Sequence, residues 1–217
     1  MKAGKICYVF GAGEYYNNPP PISNEDYVIA ADGGYDYVCS NGYRTDLIIG
    51  DFDSLFEVPK HENIRVLPIE KDDTDMAAGI KAGLDEGCSI FRIYGGTGGR
   101  LDHTLANIQC LAELSEHGAR GYLYDKETVI TAITNTSISF PEASRGMISV
   151  FSHSDKSIGV YEIGLKYPLT NATLINLHPL GISNEFTGLP ASVGVRLGTL
   201  IVIYSNDIKE DENEKST

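Results

Sequence analysis

The chain has 217 residues, 42% hydrophobic and 22% charged, which is enough for one large or two small globular domains with a real core. Its 17 basic and 30 acidic residues leave a formal charge of -13, where a duplex-binding protein needs a basic surface. No window holds the roughly 18–20 apolar residues of a membrane span, so neither nucleic acid nor a bilayer is an expected partner.

The chain opens on "MKAGKICYVFGAG", whose apolar run is too brief for a secretory leader and reads as a first strand, so the expected location is the cytoplasm. Up to about residue 125, strand-like runs alternate with helical patterns. The runs are 5–10, 27–32, 46–51, 64–69, 90–95 and 121–125, nearly continuous in apolar and β-branched residues, as in strands covered on both faces. Between them, 33–42, 74–87 and 102–118 read as helices. The second opens on a capping Thr74 and ends at Gly87; the third opens near Asp102 and ends at Gly118. This alternation predicts a mostly parallel α/β sheet with helices on both sides.

After residue 125 the helical signal stops. "ETVITAITN", "TSISF", "MISVFS", "SIGVYEIG", "NATLINL", "SVGVRL" and "TLIVIYS" are short, β-branched and separated by Gly, Pro, Asn and Ser, which predicts an antiparallel sandwich or barrel. Residues 208–217 form a polar tail without periodicity. Cys7, Cys39, Cys88 and Cys110 are widely spaced with no CxxC, so they read as buried reduced thiols rather than zinc ligands or a disulfide framework.

The chemistry gathers in the first half, always where a strand ends. Asp32 closes "YVIAAD" and precedes Gly33 and Gly34. Asp51 closes "DLIIGD", with Asp53 and Ser54 beyond it. "KDDTD" (71–75) and "GGTGGRLDH" (95–103) each follow a strand and open a helix. In an open parallel sheet these points share the carboxyl edge, where ligands bind. Singly, each has an ordinary explanation. An Asp before glycines makes a turn, Thr74 caps a helix, and a glycine-rich loop is a tight connection.

Asp51 and Asp53 resist such explanations. Two carboxylates at i and i+2, pointing one way in extended chain past a buried strand, repel each other unless a cation lies between them. The donors are oxygens and no Cys/His spacing suits zinc, so Mg²⁺ shared with substrate phosphates is the expected ion. "GGTGGR" complements it: glycine N–H groups approach an anion closely, and Arg100 offers a bidentate fork. It is neither a Walker A sequence nor a dinucleotide fingerprint. Acids, metal and a phosphate loop together point to phosphoryl or nucleotidyl chemistry.

"ADGG", "GDFDS", "DDTD" and "GGTGGRLDH", in this order, resemble thiamine pyrophosphokinases of the bacterial type. "GLKYPL" (164–169) and "GISNEF" (181–186) resemble that family's C-terminal motifs. The resemblance implies an α/β domain over 1–125 that holds ATP and metal, and a β-sandwich over 126–207 that holds thiamine. It implies a homodimer with thiamine at the subunit interface, and the reaction thiamine + ATP → thiamine diphosphate + AMP.

Carried over by motif, Asp32, Asp51, Asp53 and Asp75 surround the Mg²⁺–phosphate site. Gly33, Gly34, Ser54, Lys71, Thr74, Gly95, Thr97, Gly98, Gly99 and Arg100 hold the nucleotide. Asp75, Arg100 and Asp102 serve the reaction, and Ser183 and Asn184 meet thiamine. Animal members place a tryptophan on thiamine, and this chain has none. Tyr167 or Phe186 is the flat surface available in its place. Two alternatives stand beside this reading: a pyrophosphokinase acting on a hydroxymethylpterin, and a non-catalytic sensor of nucleotide or thiamine.

Overall fold

The computed structural model describes residues 5–16, 19–52, 61–68, 70 and 72–207. The described residues group into two compact units. One is drawn from described residues within 5–110 and 123–125, the other from 111–122 and 126–207.

The first unit contains β1 (Lys5–Phe10), β2 (Tyr27–Ala31), α1 (Gly34–Ser40), β3 (Leu47–Gly50), β4 (Ile64–Val66), α2 (Asp75–Asp85) and β5 (Cys88–Tyr94). Its strands pair in parallel in the order β5-β1-β2-β3-β4. The expected alternation is therefore present. α3 (Leu101–Glu116) and β6 (Arg120–Tyr124) follow, and each gives residues to both units. β4 is shorter than expected. Leu67 still donates to the Gly50 carbonyl, but Pro68 has no N–H to continue the ladder.

The period of two decides what each face of this sheet meets. Tyr8, Phe10, Val28 and Ala30 form one buried cluster with Val38 of α1. Val9, Ile29 and Ile49 point the other way. There α2 crosses at Gly79, whose missing Cβ would sit 3.4–3.6 Å from those three side chains. Helices thus cover both faces, and the strands are buried throughout their last residues, Cys7–Phe10, Val28–Ala31 and Leu47–Gly50.

The second unit carries two antiparallel sheets. One has the order β12-β9-β14-β7, from β7 (Thr128–Thr134), β9 (Met147–Ser152), β12 (Gly181–Glu185) and β14 (Thr199–Ser205). The other has the order β11-β10-β13-β8, from β8 (Ser137–Phe140), β10 (Lys156–Ile163), β11 (Leu169–Ile175) and β13 (Ala191–Gly194). Phe140 of β8 meets Tyr204 of β14 edge-on, with ring centroids 5.0 Å apart.

β12 is a strand that the sequence pattern does not announce. "GISNE" lacks a β-branched alternation, and its register against β9 shifts between Gly181 and Asn184. The thiols also need one correction. None of the four is in a disulfide, and Cys7, Cys88 and Cys110 are buried, but Cys39 is exposed near the end of the short helix α1.

Candidate active site

β1, β2, β3 and β5 run parallel, so their carboxyl ends share one edge. A cavity of ≈ 810 Å³ opens within the first unit along that edge. Gly11, Ala12 and Gly13 line it after β1, and Ala31 and Asp32 at the end of β2. Asp73, Thr74, Asp75 and Met76 line it where α2 begins. Gly95, Gly96, Gly98, Gly99 and Arg100 follow β5, and His103 and Asn107 come from α3. Acids from two separate motifs and the glycine–arginine loop therefore face one space.

Asp32 sits just past β2 with φ 48, and its N–H donates to the Ile49 carbonyl at 2.8 Å. Gly34 is required beside it, because a Cβ there would lie 2.1 Å from the Phe10 carbonyl oxygen. Asp51 is half-buried, directly after β3. Next to it, Phe52 is 3% exposed and has φ 56, an unusual conformation for a bulky residue that costs on the order of 1–3 kcal/mol. The chain is therefore not extended across Phe52, and the i, i+2 argument does not decide where Asp53 points. Asp53, Ser54 and Lys71 lie outside the described residues.

Thr74 is the N-cap of α2, with its hydroxyl accepting from the Ala77 N–H at 3.1 Å. Asp75 occupies the first turn of the same helix, where the dipole favours negative charge. Among the described residues, no three His, Cys, Asp or Glu side chains gather into a metal-holding group. Asp32 and Asp75 beside open volume suit a hard cation that takes further oxygens from a substrate.

The loop after β5 needs glycines, since Gly95, Gly98 and Gly99 have φ of 62, 75 and 67. Thr97 is 4% exposed and its hydroxyl donates to Asp125 at 2.7 Å, so its side chain is committed to the protein. Gly33 and Gly34 support the end of β2 without lining the cavity. Arg100 reaches the cavity and forks onto Asp102, with Nε and Nη2 at 3.2 and 2.6 Å from the two carboxylate oxygens. Both side chains are exposed. The guanidinium holds the Asp102 carboxyl below its ordinary range, and the carboxylate raises Arg100 in turn.

The thiamine candidates lie in the second unit. Tyr167 is 61% exposed, whereas Phe186 is buried edge-on against Phe140. Ser183 is exposed with φ 59, and its N–H donates to the Ser149 hydroxyl at 3.0 Å. Asn184 is buried, and its amide bonds Tyr167, Glu162 and Glu185.

Sequence reasoning passed over several lining residues. "FGAG" after β1 carries the same signal as the other sites, glycines at a strand's carboxyl end. Its reason is close approach: a Cβ on Gly13 would lie 2.4 Å from the Thr97 carbonyl oxygen. Asp73, Met76, Gly96 and His103 stand inside or beside quoted motifs. Asn107 gives no local signal, because only the helix turn places it at the cavity.

The family described as "Thiamin pyrophosphokinase, catalytic domain" matches residues 21–123. A thiamine pyrophosphokinase of Bacillus subtilis (strain 168) is 31% identical over 165 residues, covering 73% of this chain and 77% of that protein. The crystal structure of thiamine pyrophosphokinase from Bacillus subtilis has a TM-score of 0.81 at 28% identity, covering 94% of this chain and 100% of that one. That of thiamin pyrophosphokinase from Geobacillus thermodenitrificans has a TM-score of 0.78 at 26% identity, covering 93% and 98%.

Proposed function

The chain belongs to the thiamin pyrophosphokinase family, and from that membership we infer its reaction. It transfers the pyrophosphoryl group of ATP to the hydroxyethyl oxygen of thiamine, giving thiamine diphosphate and AMP. The observation that carries this reading is the single cavity faced by Asp32, Asp75, the glycine loop and Arg100.

In the reaction, the thiamine oxygen forms a bond to the β-phosphorus as the bond from that phosphorus to the α–β bridging oxygen breaks. AMP leaves, and the hydroxyl proton goes to a base. Such transfers depend chiefly on positioning and on charge stabilisation. Asp75 is the better-placed of the two candidate bases, because it lines the cavity and Asp102 does not. Loop N–H groups and Arg100 hold phosphate oxygens, for which the guanidinium must exchange its Asp102 partner. Asp32, Asp51 and Asp53 are the carboxylates to hold Mg²⁺, which supplies charge neutralisation on the triphosphate when bound, with Asp75 left to accept the proton.

The parts divide as follows. Residues 1–125 hold nucleotide and metal. Residues 126–207 form a sandwich of two antiparallel sheets, and the Phe140–Tyr204 contact between those sheets supports that description. Tyr167 presents an exposed ring and Ser183 an exposed hydroxyl for thiamine, and the working form is a homodimer. The protein works in the cytoplasm without nucleic acid. The charge of -13 supports the second point, and no helix among the described residues is long and apolar enough to cross a membrane.

Incubation with ATP, Mg²⁺ and an equimolar mixture of thiamine and hydroxymethylpterin tests the assignment. Thiamine diphosphate and AMP are expected in equal amounts. A pterin diphosphate would move the assignment to the other acceptor, and nucleotide binding without turnover would make the protein a sensor.

A further inference from the structure

We propose that Asn107 and Asp125 are positioning residues that hold the loop after β5 with its carbonyls turned away from an incoming phosphate. This rests on the nucleotide reading of the cavity. Neither residue belongs to a motif, and Asn107 is 5% exposed.

Three successive carbonyls of the loop are bound to the protein. Gly95 O accepts from the Gly13 N–H at 2.7 Å, Gly96 O from Asn107 Nδ2 at 2.7 Å, and Thr97 O from the Glu14 N–H at 2.8 Å. No peptide bond among the described residues is cis. In a trans peptide the N–H points opposite to its carbonyl. The N–H groups of Gly96, Thr97 and Gly98 are therefore turned away from those three anchors, as an anion-binding loop requires.

Glycine makes this arrangement easy to lose. Gly95 and Gly98 already have positive φ, and glycine crosses to other conformations without steric penalty. A peptide that flips would aim a carbonyl oxygen where a phosphate oxygen must go. The anchors at Gly13 and Glu14 are backbone groups, so the side-chain clamps are Asn107 on Gly96 and Asp125 on Thr97. Asp125 Oδ1 accepts from the Thr97 hydroxyl at 2.7 Å and from the Tyr16 hydroxyl at 3.2 Å. The Thr97 side chain is thereby pinned between Gly96 and Gly98, which both line the cavity.

The test compares Asn107→Ala, Asp125→Ala and Asp125→Asn with the unaltered chain. Mg·ATP affinity is read by calorimetry, KM for each substrate by kinetics, and the melting midpoint without ligand. Both alanine variants should weaken Mg·ATP ~10-fold or more, as expected for a lost clamp, with the KM for thiamine within about twofold. Asp125→Asn keeps an acceptor and should fall between Asp125→Ala and the unaltered chain. Unchanged Mg·ATP affinity would overturn the proposal, as would ATP and thiamine weakening in step with a lowered midpoint. Should Asn107→Ala fail to fold, Asn107→Leu removes the donor to the Gly96 carbonyl at similar volume and is judged by the same outcomes. If the unaltered chain binds no Mg·ATP, the nucleotide reading itself falls, a result distinct from variants that bind as well as it does.

Discussion

Asn184 closes a two-bond ring on the backbone of Tyr167: its Oδ1 accepts the Tyr167 N–H and its Nδ2 donates to the Tyr167 carbonyl, both at 2.9 Å. The same amide donates to Glu162 at 2.6 Å and accepts from the Glu185 N–H at 2.9 Å. All four of its hydrogen-bonding positions are thus used inside the protein. The bond to Tyr167 joins the segment 164–169 to 181–186, the two stretches that resemble the family's C-terminal motifs. Asn184 holds the Tyr167 backbone in place and is itself buried, whereas Tyr167 and Ser183 are exposed.

Asn184→Ala should therefore lower stability by about 2 kcal/mol, because it leaves partly buried backbone groups and the buried Glu162 without this partner. Urea unfolding measures the loss. A midpoint equal to that of the unaltered chain would mean the amide is dispensable to the fold.

Glu162 is 1% exposed, and burial pushes its carboxyl above the ordinary value of 4.5, with the Asn184 bond opposing part of that rise. Above pH 4.5 the unfolded chain gives up this proton while the folded chain still keeps it. Stability should then fall as pH rises from 4.5 through the folded value, and level off beyond it. Glu162→Gln cannot ionise, so it should remove that slope from a series of unfolding curves. An identical slope in the variant would assign the pH dependence to other groups.

Arg100 and Asp102 are 71% and 64% exposed, so their pairing contributes little to the fold. Arg100→Lys should leave the melting midpoint nearly unchanged and raise the KM for ATP ~10-fold, since an ammonium cannot reproduce the fork. Steady-state kinetics decide it, and an unaltered KM would remove Arg100 from the phosphate site.

Asp51→Asn should lose most activity while keeping the fold, measured by turnover at saturating Mg²⁺ beside circular dichroism. Full activity would take Asp51 out of the metal site.

Much of the α/β unit was legible because its signals are local. Apolar runs end at Asp32 and Asp51, and Thr74 is an N-cap in sequence and in structure alike. The placing of Asp32, Asp75 and Arg100 on one cavity followed from the rule that parallel strands share a carboxyl edge. What stayed hidden depends on contacts distant in sequence. β12 exists because Gly181 and Asn184 meet Val150 and Ile148, not through a pattern of its own. Thr97 looked like a phosphate ligand, and only the fold shows its hydroxyl turned to Asp125, 28 residues away. The turn at Phe52 was invisible because no residue type marks a left-handed phenylalanine.

The central claim is that both outer phosphates move together onto thiamine. A single-turnover reaction with Mg²⁺, thiamine and ATP labelled at the γ-phosphorus tests it most directly. All label should appear in thiamine diphosphate, alongside unlabelled AMP. Labelled thiamine monophosphate with ADP, or labelled inorganic phosphate, would contradict it.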